Sequence, residues 1–278
     1  MSAQVTWLPG GRLHLHHGPI DLILQGWGDA RALRAGYAAA VDRFDTILAE
    51  LVSELPALRS PNTLVTGPTA RLMAAAVAPF RPTFITPMAA VAGAVADTIL
   101  RAFIRPGITR AFANNGGDIA LHLDPGEHLT CAVAGAGGSV TIHATDRVRG
   151  IATSGWRGRS WSLGIADSVT ILAKTAAEAD AAATIIANAV DLPGHPAITR
   201  RPAQDMQTDS DLGACLVTTD VAPLSPHEAQ TAVDRGAAAG QAALSRGLID
   251  GALIFLHPAM RTLGHARLTQ PMKEPELA

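Results

Sequence analysis

The sequence predicts a layered α+β fold, antiparallel strands covered by packed helices. Two observations carry this. Helical stretches bracket a run of short strands between about Ile108 and Lys174 rather than alternating with them, which disfavours a parallel doubly wound sheet. Within that run the strands are divided by glycines and polar turns, as in successive hairpins, and no dinucleotide-binding glycine fingerprint opens a helix behind any of them.

"VTWL" and "RLHLHHG" alternate with period two around Pro9-Gly10-Gly11 and read as a hairpin; "IDLILQG" adds a third strand. Asp29 is placed to cap a long amphipathic helix that runs until Pro56. Gly67-Pro68 and Thr86-Pro87 announce two more helices, the second rich in alanine around Gly93. Six strands then follow, "ITRAFAN", "DIALHL", "LTCAVAG", "SVTIHAT", "RGIATSG" and "SVTILAK", expected to form one antiparallel core sheet. The helix "TAAEADAAATIIANAV" comes next, then a polar linker from Thr199 to Gly213 and the strand "ACLVTTDV". A helix opens at Ser225-Pro226 with Glu228 in capping-box position, and "GALIFLHP" reads as the last strand. Gly135 to Ser139, "GAGGS", reads as a glycine hairpin, because no helix follows to aim amides at a phosphate.

The chain of 278 residues, 48% hydrophobic and 17% charged, can bury a sizeable core, expected as a single domain over 1–278 or two intertwined lobes. Its formal charge of −2 argues against a nucleic-acid partner and for a small molecule. The first residues lack a basic leader and an apolar core, and the purest apolar runs fall short of a membrane span, so a soluble cytoplasmic protein is expected, with no membrane partner and with homo-oligomerisation left open. Cys131 and Cys215 lie in apolar strand-like segments and are expected to act as small buried hydrophobes.

Four segments carry candidate chemistry. Gly93 and Asp97 stand one helical turn apart and share a face; a ligand contact and simple helix packing both explain them. Asn115, Gly116, Gly117 and Asp118 form a turn where backbone could approach a ligand, or an ordinary hairpin. Thr153, Ser154 and Gly155 end a strand, and Arg157 and Arg159 follow, a set suited to phosphate or carboxylate oxygens or to a solvated loop. Asp180 and Thr184 lie at i and i+4 among residues too small to shield them, hard oxygen donors that suit Mg²⁺.

In order, "GxxxD" at Gly93 and Asp97, "NxGGD" at Asn114 to Asp118, "ATSG" at Ala152 to Gly155, "SVT" at Ser168 to Thr170 and "ADAxAT" at Ala179 to Thr184 resemble the motifs of ApbE-like FAD:protein FMN transferases. The resemblance covers about Thr86 to Val190 and points to a short branch of that superfamily. It implies a T-fold-like domain, FAD or FMN in a cleft, and Mg²⁺ bridging the nucleotide diphosphate. It makes Asp180 and Thr184 metal ligands, joined by a backbone carbonyl near Val91 or Ala92, and sets the Gly-Gly-Asp turn along the cleft.

Two departures stand beside the match. Ala92 occupies the place of a family lysine. Between Gly155 and Ser168 a short "WRGRSWSLGIAD" replaces a longer segment that carries a histidine and an "IDPxTG" loop. Asp167, just before "SVT", is the candidate to replace that histidine in proton transfer. An Mg²⁺-dependent enzyme acting at a diphosphate bond, a binding protein without the transfer machinery, and an enzyme on an unrelated metabolite all remain open at this point.

Overall fold

The computed structural model describes residues 3–61, 64–133, 138–264 and 268–269. Strands β1 (Gln4–Leu8), β2 (Arg12–His17) and β3 (Ile20–Gly28) lead into α1 (Ala30–Ser53) and the short α2 (Leu55–Leu58). Helices α3 (Pro68–Val77) and α4 (Val91–Phe103) precede β4 (Ile108–Asn115), β5 (Asp118–Leu123), β6 (His128–Val133), β7 (Gly138–His143), β8 (Gly150–Ser154) and β9 (Ser168–Ala173). Then come α5 (Ala176–Ala189), β10 (Ile198–Pro202), α6 (Ala203–Met206), β11 (Leu216–Val221), α7 (Pro226–Ser245), β12 (Gly251–Leu256), β13 (Ala259–Gly264) and β14 (Leu268–Thr269).

The helix starts follow local chemistry. Asp29 accepts hydrogen bonds from the Arg31 and Ala32 amides at 2.8 and 2.9 Å, satisfying donors that the first turn leaves free. Ser225 and Glu228 close a capping box on α7. Pro87 begins a 3-10 turn over Pro87–Ala90, so the α-helix expected there starts at Val91.

Nine strands form one sheet in the order β1-β2-β3-β4-β5-β8-β9-β12-β13, and every neighbouring pair is antiparallel. Helices cover one face in sequence: α1 over β2 and β3, α4 over β4 and β5, α5 over β8 and β9, α7 over β12 and β13. Burial in β2 follows the period of two, Leu13 and Leu15 inside and the residues between them partly exposed.

The expected six-stranded core sheet is corrected. β6 and β7 leave it and form a separate sheet with β14. Val133, Val140 and Ile142 bury against Leu121, Ile151, Leu172 and Leu253, so the excursion covers the sheet face that the helices leave open. The Arg149 guanidinium holds the return by donating to the carbonyls of Ala144, Asp146 and Val148. The polar segment from Thr199 contains a strand and a helical turn, since β10 pairs with β11. Nor is β12 the last strand, because β13 folds back on it. Cys215 lies just before β11 and, like Cys131, is half-buried and free. The predicted "GAGGS" hairpin falls mostly on residues 134–137, outside the described residues.

Candidate functional site

Helices α4 and α5 meet at their first turns. A Cβ on Gly93 would stand 2.2 Å from the Ala176 carbonyl oxygen, so only glycine permits this approach. Side chains lean toward a helix N-terminus, and each helix sends an aspartate from its second turn back to the crossing. Asp97 accepts the Ala176 and Ala177 amides at 3.1 and 3.0 Å. Asp180 accepts the Gly93 amide at 3.0 Å, and the Ala92 amide also bonds to it. Each carboxylate thus caps the other helix, meeting the free first-turn amides and the positive end of the helix dipole. Ala90, at the N-cap of α4, offers no side-chain oxygen, so Asp180 supplies what that helix lacks.

Asp118 reaches the same place from the sheet. Gly116 and Gly117 have φ of 67° and 113°, forming a two-residue hairpin between β4 and β5 that favours glycine at both positions. The turn pairs Asn115 with Asp118, both nearly buried. Asn115 Nδ2 donates to the Ala92 carbonyl at 3.1 Å, and Asp118 accepts the Thr153 amide at 3.2 Å. The Thr153 hydroxyl is 2.8 Å from that of Thr170, its cross-strand partner on β9.

Three carboxyls are therefore gathered with little to offset their charge. Burial pushes Asp97 up to about 6, even though the two amides it accepts pull the other way. Burial raises Asp118 as well. Asp180 stands well above the usual carboxylate range through burial first and the neighbouring Asp118 second. Neither Asp118 nor Asp180 forms an ion pair among the described residues. Thr184 lies one turn beyond Asp180 on α5 and is half-buried.

The segment after β8 is anchored differently. Gly155 lies so close to the Asp167 carbonyl that a Cβ would sit 2.3 Å from it. The Asp167 carboxylate accepts the His257 amide at 2.9 Å and stands 3.5 Å from Arg157 Nε. Arg157 stacks over Trp156 with its guanidinium carbon 4.4 Å from the ring centroid. Arg159 donates to the Pro19 carbonyl, and its Nη1 would lie 3.3 Å from a Cβ on Gly116, which sets a cation beside the Gly-Gly turn.

The structure brings Gly93, Asp97, Asn115, Asp118, Thr153 and Asp180 into one connected group of contacts, with Arg159 beside the turn of Gly116 and Gly117. Ser154 continues β8 opposite Val169. Asp167 and Arg157 belong to the loop tied to His257. Asp180 and Asp97, open to reading as exposed groups on helix surfaces, are drawn inward by amides of the opposite helix. Sequence reasoning missed the amide donors Ala92, Ala176 and Ala177 and the hydroxyl of Thr170; only the last had a signal, its place in the "SVT" strand.

Mg²⁺ fits the donor set. Among the described residues no three His, Cys, Asp or Glu side chains are grouped to hold a metal, but Mg²⁺ is commonly held by one or two carboxylates with waters and ligand phosphates. Asp118 and Asp180 are such a pair, and their uncompensated charge is what a cation relieves. The Ala92 carbonyl is already engaged by Asn115.

A UPF0280 protein of Methanothrix thermoacetophila is 41% identical over 113 residues, 38% of this chain and 46% of the relative. A UPF0280 protein of Archaeoglobus fulgidus is 35% identical over 106 residues, 38% and 45% of the two chains. The chain thus matches less than half the length of these curated relatives. The flavinyl transferase ApbE of Pseudomonas stutzeri aligns over 96% of both chains at 11% identity, TM-score 0.44. No helix among the described residues is long and apolar enough to cross a membrane. Residues 5–268 match the family described as AbpE bacteria, and with nearly the whole chain matched the protein belongs to that family.

Proposed function

We propose that the chain is an Mg²⁺-dependent enzyme that binds FAD or a related flavin nucleotide and acts at its diphosphate bond. The observation that supports this most is the pair Asp118 and Asp180, brought from the sheet and from α5 to the start of α4 with their charge unbalanced. Asp118, Asp180 and Thr184 would hold Mg²⁺. When bound, the ion supplies Lewis-acid neutralisation of charge on the diphosphate oxygens. Gly93, Asp97 and Asn115 keep the helix starts and the hairpin in register around the pair. The flat Gly116-Gly117 turn, Thr153, Ser154 and Gly155 border the nucleotide, and Arg157 and Arg159 offer guanidinium groups to phosphate oxygens. Asp167 is the candidate to take the proton from an attacking water or hydroxyl.

Transfer of FMN to a protein hydroxyl needs that proton removed, and the family histidine has no counterpart between Gly155 and Ser168. General-base assistance contributes about 10²–10⁴ in rate, so transfer to a threonine-containing acceptor is expected to be weak or absent, and hydrolysis would suffer less because bound Mg²⁺ would activate water with less help. A second reading, a flavin-binding protein without turnover, is favoured by one contact: one oxygen of the Asp167 carboxylate is already occupied by the His257 amide. Incubating the protein with FAD and Mg²⁺ separates the two. AMP release supports the enzyme, intact retained FAD the binder, and neither outcome points to a different metabolite.

A further inference from the structure

One surface outside this site joins a sheet edge to an exposed helix face. β1 is the edge of the nine-stranded sheet and, among the described residues, pairs with β2 alone. Its five residues, Gln4 to Leu8, include no charge and no proline, the usual protections of a free edge. Val5 and Trp7, two residues apart and so on one face, are 44% and 58% exposed. They form one wall of a cleft of about 650 Å³ whose other wall is α1, through Leu33, Arg34, Tyr37, Ala38, Val41 and Asp42.

The charge on that wall is arranged about a centre. Arg34 and Asp42 lie four residues either side of Ala38, Arg31 and Asp45 seven, and all five positions are exposed. At about 100° per residue the four charged positions fall within about 40° of Ala38, a single stripe, basic in its first half and acidic in its second. None of the four forms an ion pair among the described residues. Arginine near a helix start also opposes the helix dipole, so local helix stability does not account for the pattern. A second copy of α1 running antiparallel does, because Arg34 then meets Asp42 of the other copy and Arg31 meets Asp45, each contact occurring twice as a two-fold interface requires.

The strand has the same symmetry at the same level. Trp7 packs edge-on against Tyr37, ring centroids 4.7 Å apart, which sets the middle of β1 beside the middle of the stripe. Antiparallel pairing of two β1 strands about Thr6 places Val5 of each opposite Trp7 of the other, a favourable cross-strand pair.

We propose that the β1 edge and the Arg31-to-Asp45 face of α1 form a two-fold interface with a second copy of this chain, joining the two sheets edge to edge beneath two antiparallel α1 helices. The test is sedimentation equilibrium of the full chain and of charge-swapped variants, with thermal melts to show that the variants stay folded. The wild-type chain is expected to dimerise below about 100 µM. Arg34→Asp alone and Asp42→Arg alone each place like charges opposite one another twice and raise the dimer dissociation constant by about tenfold or more. Arg34→Asp combined with Asp42→Arg restores dimerisation, which only an antiparallel self-pairing explains. Val5→Pro weakens it through the lost edge hydrogen bond. A wild-type monomer at that concentration, the outcome if the cleft instead takes an apolar small molecule or another protein, overturns the proposal, and so does a double variant no tighter than the single ones.

Discussion

The starts of α4 and α5 are capped in the same way, each by an aspartate from the other helix, yet they face different surroundings. At α5, Thr175 provides a cap of its own and Asp97 accepts two further amides, one on each oxygen. At α4 the chain has no side-chain cap, and Asp180 serves that end while facing Asp118 across the crossing. Asp97 is thus committed to holding two helices together. Asp180 also accepts two amides, but it faces a second buried carboxyl, Asp118, and that is the difference on which its proposed role as a ligand to a cation rests.

The largest effect should come from closing the crossing itself. Gly93→Ala places a methyl carbon against the Ala176 carbonyl and is expected to cost about 3 kcal/mol, measured as a shift in the urea midpoint. Asp97→Asn comes next. An amide offers one acceptor oxygen where Asp97 uses two, so an Ala176 or Ala177 amide is left unbonded, at a cost of about 2 kcal/mol. Mg²⁺ should stabilise this variant as much as the parent.

Asp118→Asn should act in the opposite direction. Its oxygen still accepts the Thr153 amide while the repulsion toward Asp180 is gone, so the metal-free variant should gain about 1 kcal/mol at pH 8. The pH dependence has a definite sign. All three carboxyls have pKa values raised on folding, so the native state holds protons that the unfolded chain has released. Their contribution is fully present below the ordinary value of 3.8 and is lost as pH rises, for Asp97 through about 6. Melting curves without metal should show that decline, reduced in Asp118→Asn. Added Mg²⁺ should raise the parent's stability by about 2.7 kcal/mol at a hundredfold excess over its dissociation constant, and should do little for Asp118→Asn; equal stabilisation of both would remove Asp118 from the metal site.

The smallest effect on stability is expected at Asp167. Asp167→Asn keeps an acceptor for the His257 amide and loses only a loose pair with the exposed Arg157, a change under about 1 kcal/mol. AMP release should nonetheless fall about 10²-fold if this carboxylate takes the proton. Unchanged release would assign that step elsewhere.

Much of this molecule could be read from neighbouring residues, because the forces involved act within a turn or two. The Asp29 cap, the Ser225-Glu228 box, the Gly116-Gly117 hairpin and the alternation of β2 each depend on positions a few residues apart. The ordered motifs from Gly93 to Thr184 were legible in the same way and were enough to suggest a family resemblance. The departure of β6 and β7 from the main sheet was not legible, since their alternating pattern is the same whichever sheet receives them. The role of Asp180 was hidden for a related reason. Alanine neighbours leave a side chain free in either direction, and what draws this one inward is an amide 87 residues earlier in the chain. Asp97, Asp118 and Asp180 look alike as single letters; which is bonded on both oxygens and which two repel depends on the crossing of α4 and α5 over β5, a packing arrangement that no local pattern encodes.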